Sequence, residues 1–466
     1  MDFIMGISFV CKTSRRILTV LALMFQGVAG AAGITDYSIL NFGARADTNK
    51  LSTAAIQKAI DVCHKKGGGR VVVPAGRYLT GSIFLKDNVY LYIAPGAILM
   101  GSRNVADYKA VKPAYNSFRT HTETIQLIYA ERAKNVGICG EGEIDGQGRY
   151  FKKTAETDEG ITRPHLIRFI ECENVTVRDV TLRNSGCWMQ HYLACDGVRI
   201  TGLRIYNRST QNNDGLDLDG CRNVAVSDLL MDTDDDAITL KSTSPRPCEN
   251  IAISNCVVSS HCNGIKLGTE TNGGFKNISI ANCVVKPSEK PEPKVFGRIG
   301  GISGISLEIA DGGTMDGVTI SNLMIEGTQV PVFIRLSDRA RPYDPAVPVG
   351  GIGHIRNISM DNIRAVGAGT VGCSITGMPG FPVENVRISN SSFAFAGGIK
   401  EGEYKVSPEE REKDYPESIM WGNLPAWGFY LRHASNVMFN NVELLTVSPD
   451  VRPDVVRDDC RNVFFR

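Results

Sequence analysis

Asn174-Val175-Thr176-Val177, Gly197-Val198-Arg199-Ile200, Asn223-Val224-Ala225-Val226, Asn250-Ile251-Ala252-Ile253 and Asn277-Ile278-Ser279-Ile280 restate one phrase at steps of 23, 26, 27 and 27 residues. Each copy is Asn or Gly followed by an apolar–variable–apolar alternation. Period-two alternation marks a half-buried strand. A strand returning at a fixed interval of this length points to a β-solenoid. No single coil can bury its own apolar face, so each buries it against the next, about 4.8 Å along the axis. Outward from this block the phrase recurs as Asn135-Val136, Gly317-Val318-Thr319-Ile320, Asn357-Ile358-Ser359-Met360, Asn385-Val386-Arg387-Ile388, Asn436-Val437-Met438-Phe439 and Asn462-Val463-Phe464-Phe465. Later steps of 40, 40 and 51 residues read as one coil plus an inserted loop. The repeated Asn fit a turn column whose side chains bond from coil to coil. A propeller or leucine-rich repeat fits worse, for want of blade signatures and helical halves.

Cysteine follows the same period. Cys172, Cys195, Cys221 and Cys248 lie 23, 26 and 27 apart, and Cys256 and Cys283 lie 27 apart. Such spacing places one cysteine per coil in a buried stack of small side chains, mostly free thiols. No Cys-x-x-Cys spacing suggests zinc. The 466 residues are 42% hydrophobic, ample for a large core, and a net charge of +1 leaves no footprint for nucleic acid.

Residues 1–31 read as a signal peptide. Lys12, Arg15 and Arg16 precede the apolar run Ile17 to Phe25, and small residues follow at 28–32. The expected location is therefore outside the cytoplasm, periplasmic or extracellular, with no membrane span in the mature chain. Residues 32–100 are expected to form an N-terminal cap and the first coils: a strand over Asp36 to Phe42, a helix capped by Ser52, a stop at Gly67-Gly68-Gly69, then a strand from Val71. Residues 101–466 are expected to continue the coils, with chemistry around 205–270. The charged insertion Gly397 to Trp427 reads as a solvated loop, with Trp421 and Trp427 open to a role in sugar stacking.

Two acid bursts stand on neighbouring coils: Asn212-Asn213-Asp214-Gly215-Leu216-Asp217-Leu218-Asp219 and Asp234-Asp235-Asp236-Ala237-Ile238-Thr239-Leu240-Lys241. Leu216, Ile238 and Ile265 should align, as should Leu218, Leu240 and Leu267. Asp214, Asp236 and Asn263 then match in the preceding turn. Strict alternation would bury Asp214 inward, so the chain should turn or bulge there. Carboxylates so grouped cannot all ionise, and a neutral carboxyl beside an ionised one is the equipment for cleaving a glycosidic bond.

On these residues the chain resembles the polygalacturonases, family 28 of the glycoside hydrolases. Asn212-Asn213-Asp214 matches that family's Asn-x-Asp, and Asp235-Asp236 its Asp-Asp. Asn41-Phe42-Gly43-Ala44 and Val73-Pro74-Ala75-Gly76 belong to the same likeness. The resemblance implies an all-β fold, a right-handed parallel β-helix with a short N-terminal capping helix. It also implies hydrolysis with inversion, without metal or cofactor. Asp235 would be the general acid, with Asp214 and Asp236 holding and deprotonating the water. Coils about 4.8 Å apart sit closer to the ~5 Å carboxyl spacing of retaining enzymes than to the roughly 6.5–9.5 Å of inverting ones, so splayed side chains are required.

The chain departs from the family at two motifs. Gly-His-Gly has Asn263 in place of its histidine. His261, two residues earlier, either fills that role or is an ordinary turn histidine. Arg-x-Lys is missing from Gly304-Ile305-Ser306-Leu307-Glu308. The partner is expected to be a pectic poly- or oligosaccharide, galacturonide or rhamnogalacturonan. A uronate needs a cation nearby: Lys266 first, then Lys241 and Arg335. Glu270 is a candidate for binding a terminal sugar. Loops at 101–125, 286–303 and 397–428 would wall off one end of the cleft and favour attack at chain ends. A calcium-dependent lyase and a non-catalytic carbohydrate-binding solenoid remain as rivals.

Overall fold

A computed structural model describes residues 35–155, 158–290 and 300–466. The signal-peptide expectation for 1–31 and residues 291–299 of the 286–303 loop lie outside the described residues. Asp36–Arg466 forms one compact unit, a parallel β-helix. Each central coil carries three strands. Gln190–Leu193, Asp196–Thr201 and Arg204–Asn207 pair in parallel with Leu216–Asp219, Arg222–Ser227 and Leu230–Thr233 of the next coil.

Inward residues stack like on like. Leu218, Leu240, Leu267, Leu307, Ile334, Ile375 and Leu431 occupy one register position in seven successive coils, all fully buried. Each such side chain contributes about 1.5–3 kcal/mol of burial. The cysteine stack behaves as expected: Cys172, Cys195, Cys221 and Cys248 are buried free thiols, and Cys195, Cys221 and Cys248 donate to backbone carbonyls.

The Asn column also forms. Asn250 Nδ2 donates to Asn223 Oδ1 at 3.3 Å, Asn277 to Asn250 at 3.1 Å, Asn385 to Asn357 at 3.1 Å and Asn436 to Asn385 at 3.2 Å. These residues hold φ near +55°, a left-handed turn that Asn tolerates better than other non-Gly residues. A second ladder, not expected from sequence, runs from Asn255 through Asn282 and Asn322 to Asn362.

The helix Thr53–Lys65 covers the N-terminal end of the solenoid with Ile56, Ala59, Ile60 and Cys63. Ser52 stands at its N-cap position, yet its hydroxyl donates to the Arg45 carbonyl rather than capping. The expected strand over Asp36 to Phe42 is shorter: it ends at Ser38, and Ile39–Phe42 winds into a 3-10 turn that buries Ile39. In the 397–428 insertion Trp421 is buried, its Nε1 donating to the Glu409 carbonyl, and Trp427 packs edge-on against Phe395. Both tryptophans pack the loop against the coils, and Trp421 is not an open sugar platform.

Candidate active site

Strand Leu216–Asp219 pairs with Ile238–Ser242, which pairs with Asn263–Thr271. The register is the expected one. It sets Asp217, Thr239 and Lys266 in one column facing away from the core, and Asp219 beside Lys241 in the next. Asp214 lies before its strand. Asn212 at φ 55° turns the chain there, which frees Asp214 from the alternation. Gly215 permits the close approach of the next coil, since a Cβ there would sit 2.3 Å from Met231 Cε and 2.7 Å from the Ala237 carbonyl.

Asp214, Asp235 and Asp236 are brought together in one electrostatic cluster, as expected. Their surroundings drive them apart. Burial, then the charges of Asp217 and Asp235, push Asp214 well above the carboxylate range. Its Oδ1 is buried without a partner. Burial and the neighbouring Asp236 push Asp235 up to about 6. Burial acts on Asp236 too, but Lys266, Lys241 and the Asn263 amide outweigh it and hold Asp236 below its usual value. Lys266 Nζ stands 3.2 Å from Asp236 Oδ2, and Asn263 Nδ2 donates to Oδ1 at 2.7 Å. Adjacent carboxyls thus differ in charge at mildly acidic pH: Asp235 keeps its proton and Asp236 has lost it.

Lys241 sits among Asp214 at 3.9 Å, Asp217 at 3.5 Å and Glu270 at 3.5 Å, over the Trp188 ring at 4.6 Å. Glu270 reaches it because the pairing slips between Leu240 and Ser242, throwing Gly268 to Glu270 out of the ladder. Arg119 at 2.7 Å and Arg341 at 3.8 Å complete the shell of Glu270. Burial opposes its charge, but Lys241, Arg119 and Arg341 hold the carboxyl well below the ordinary range.

Two candidates are placed elsewhere. His261 is bound by Arg208 at 2.7 and 3.0 Å and by Asp234 at 3.1 Å, in a turn network with Asp232. Burial and Arg208 lower its pKa, which favours the neutral ring. Arg335 is fully buried beneath the insertion. It donates to the Gly377 and Glu410 carbonyls under Trp421. Its guanidinium is consumed by structure and is not open to a substrate, which corrects the expectation from the strand pattern.

Several groups were missed. Asp217 is fully buried with neither carboxyl oxygen hydrogen-bonded, and burial pushes it up to about 8. Its place in the Lys266 column was legible. Arg119, Trp188, Arg341 and Tyr415 were not, because loops deliver three of them. Tyr415 Oη meets Lys266 Nζ at 2.9 Å from the 397–428 insertion. The loop around Arg119 crosses the catalytic coils, where the Phe118 amide donates to the Thr243 carbonyl and Asn116 to Asp344. Beneath it lies a cavity of about 280 Å³, lined by Phe118, Arg119, Arg168, Trp188 and His191 among others. Arg168, His191 and Asp217 are successive rungs of one column, so this cavity adjoins the aspartates on their N-terminal side.

Asp235, Asp236 and Cys262 bring ligand atoms within 4.8 Å of one another. The set does not fit calcium: it pairs a soft thiol with hard carboxylates, and an ammonium already holds Asp236.

The family described as Glycosyl hydrolases family 28 matches residues 63–408. The chain belongs to this family. A probable polygalacturonase of Vitis vinifera is 30% identical over 215 residues, 44% of each chain. The chain spans less than half the length of that curated relative. Two solved structures share the fold across most of this chain. The family 28 exopolygalacturonase of Yersinia enterocolitica has a TM-score of 0.72 at 21% identity, covering 93% of this chain and 78% of that one. The exopolygalacturonase of Thermotoga maritima has a TM-score of 0.67 at 21% identity, covering 88% and 92%. No helix among the described residues is long and apolar enough to cross a membrane.

Proposed function

We propose that this family 28 chain hydrolyses glycosidic bonds at the ends of uronate-containing pectic chains, with inversion. The observation that carries the reading is the opposed charge preference of Asp235 and Asp236. Asp235 protonates the leaving oxygen. Asp236, ionised beside Lys266, takes the proton of the attacking water, and Asp214 offers its unpartnered Oδ1 to the same water. Lys266 and Asn263 serve the substrate through Asp236, keeping it charged and oriented. Glu270 and Lys241 fix the rim of the cavity.

Attack at chain ends is supported by that cavity. At about 280 Å³ it lies near the small end of the ~300–1,000 Å³ usual for small-molecule sites, and it suits one sugar ring rather than a run. The loop from Asn116 to Arg119 closes over it. The terminal residue enters the cavity and the remainder of the chain leaves toward the C-terminal coils. A polymeric substrate is met outside the cell, in keeping with the export signal expected of residues 1–31.

The test is product analysis on polygalacturonan and rhamnogalacturonan side by side, with NMR of the first-formed anomer. The expected products are monomeric uronate from the first time point and inverted configuration. A ladder of oligomers would reject end attack. Retained configuration would reject the water-activating roles of Asp214 and Asp236. An unsaturated, ultraviolet-absorbing product would replace hydrolysis with elimination.

A further inference from the structure

Three donors converge on the Asp236 carboxyl. Two are the Lys266 ammonium at 3.2 Å and the Asn263 amide at 2.7 Å. The third is the thiol of Cys262. Of the twelve cysteines among the described residues, ten are buried, and only Cys262 and Cys460 are partly open. Cys460 lies on the last strand, Val455–Phe465, far along the solenoid; Cys262 immediately precedes the strand Asn263–Thr271, beside the aspartates. In the motif Gly-His-Gly the first glycine falls at Cys262 and the histidine at Asn263. A thiol and an amide thus stand in this chain where the motif has glycine and histidine.

The backbone around Cys262 is bonded to both aspartates. Its amide donates to Ser260 Oγ at 2.8 Å, and that hydroxyl donates to the Asp235 carbonyl at 2.7 Å. The following amide, of Asn263, donates to Asp236 Oδ1 at 3.2 Å. On the other side the Cys262 carbonyl accepts from the Ile302 amide at 2.7 Å. The thiol is thereby held over the carboxyl pair, with ligand atoms of Cys262, Asp235 and Asp236 all within 4.8 Å of one another. Asn263 Nδ2 carries two hydrogens. One goes to Asp236 Oδ1, and the sulfur accepts from the same nitrogen at 3.3 Å. That leaves the hydrogen of the thiol for the carboxylate, and a hydrogen bond from Cys262 is among the causes that hold Asp236 low. Burial and the charges of Asp236 and Asp235 push the thiol well above its ordinary value, so it keeps its hydrogen.

We infer that Cys262 is a positioning residue for Asp236: its S–H donates to the carboxylate and, with the Asn263 amide, holds it ionised and turned toward the attacking water. This rests on the hydrolase reading above. Asp236 also faces Asp235 and Lys241 on its own coil, Asp214 and Asp217 on the coil before, and Lys266 on the coil after. Glu308 faces it from a later coil, and Tyr415 and Glu417 from the insertion. These groups are common to every variant compared, so a difference between variants reports the thiol. Cys262→Ala removes the donor and Cys262→Ser keeps one. In Cys262→Ala the acid limb of the kcat/KM–pH profile should move up by about half a unit to one unit, with a loss of roughly three- to tenfold on that limb. Cys262→Ser should leave the limb in place. A second readout needs no turnover. The infrared S–H stretching band of Cys262, isolated by subtracting the Cys262→Ser spectrum, should stand at lower frequency in the wild-type chain than in an Asp236→Asn background, where the acceptor is no longer an anion. An acid limb that moves alike in Cys262→Ala and Cys262→Ser, or in neither, overturns the role of Cys262 and leaves the hydrolase reading intact; so does an S–H band that Asp236→Asn leaves unmoved. A wild-type chain that hydrolyses neither polygalacturonan nor rhamnogalacturonan sinks the hydrolase reading, and the positioning role with it.

Discussion

Lys266 is the residue on which the protonation pattern turns. It is almost fully buried, and burial alone would discharge it. Asp236 and Glu308 reverse that, and its pKa stands well above the ordinary value. The sequence pointed to Lys266 as a cation for a substrate carboxylate. In the structure its ammonium is already engaged by Asp236 and Tyr415, so its first effect is on the acid–base pair. It lowers the pKa of Asp236 and, less strongly, of Asp235. In the proposed roles turnover needs Asp236 ionised, so the rate rises as pH climbs through its pKa. It needs Asp235 protonated, so the rate falls as pH passes about 6. Lys266→Ala should therefore move both limbs of the kcat/KM–pH profile upward and lower its maximum by about 10²–10⁴-fold, the usual worth of positioned acid–base catalysis. A loss of rate with unmoved limbs would return Lys266 to plain substrate binding.

At the scale of the element, the coil-to-coil Asn ladder was legible and its geometry was not. Periodic spacing revealed that Asn250 stacks between Asn223 and Asn277. The left-handed φ of 58° at Asn250 became visible only with the turn itself. Two terms therefore hold this position: a ladder bond on each side, and a backbone region that costs other L-residues roughly 1–2 kcal/mol. They separate by substitution. Asn250→Ala loses both and should cost about 2–3 kcal/mol in urea unfolding, while Asn250→Gly keeps the φ and should cost only about 1 kcal/mol. Equal costs would mean that the hydrogen bonds dominate and the turn conformation contributes little. The same contrast explains the aspartates. Register follows from a period-two pattern, so the column of Asp217, Thr239 and Lys266 could be read from leucines. The slip that presents Glu270 to Lys241 depends on how Gly268 to Glu270 leave the ladder, which no periodicity encodes.

For the whole molecule, the coils were legible because each repeats its neighbour, and the walls of the cleft were not because each occurs once. Arg119 meets Glu270 across 151 residues, and Tyr415 meets Lys266 across 149. The site these loops enclose is rich in buried carboxyls, and their burial has a consequence for folding. Burial pushes Asp217 and Glu308 up to about 8 and Glu417 up to about 7. In the unfolded chain these carboxyls titrate near 4. Between those values the folded state binds more protons than the unfolded one, so stability falls as pH rises. Carboxyls held low, such as Glu270 and Asp236, have finished titrating in both states above about pH 5 and do not contribute there. Buried His191, lowered to about 4, acts in the opposite sense but only up to the unfolded histidine value near 6.5. The window from about pH 6.5 to 8.5 is thus governed by the raised carboxyls, joined toward its upper end by buried thiols such as Cys187, Cys195 and Cys248, which burial holds above the unfolded value near 8.5. The melting temperature should fall by several degrees across it in the wild-type chain. Asp217→Asn, which replaces a carboxyl that is neutral in the fold with a neutral amide, should flatten that fall without unfolding the protein at pH 6.5. A melting temperature that holds or rises across the window would mean that the cluster stays ionised, with Lys241 and Lys266 able to carry every aspartate beside them.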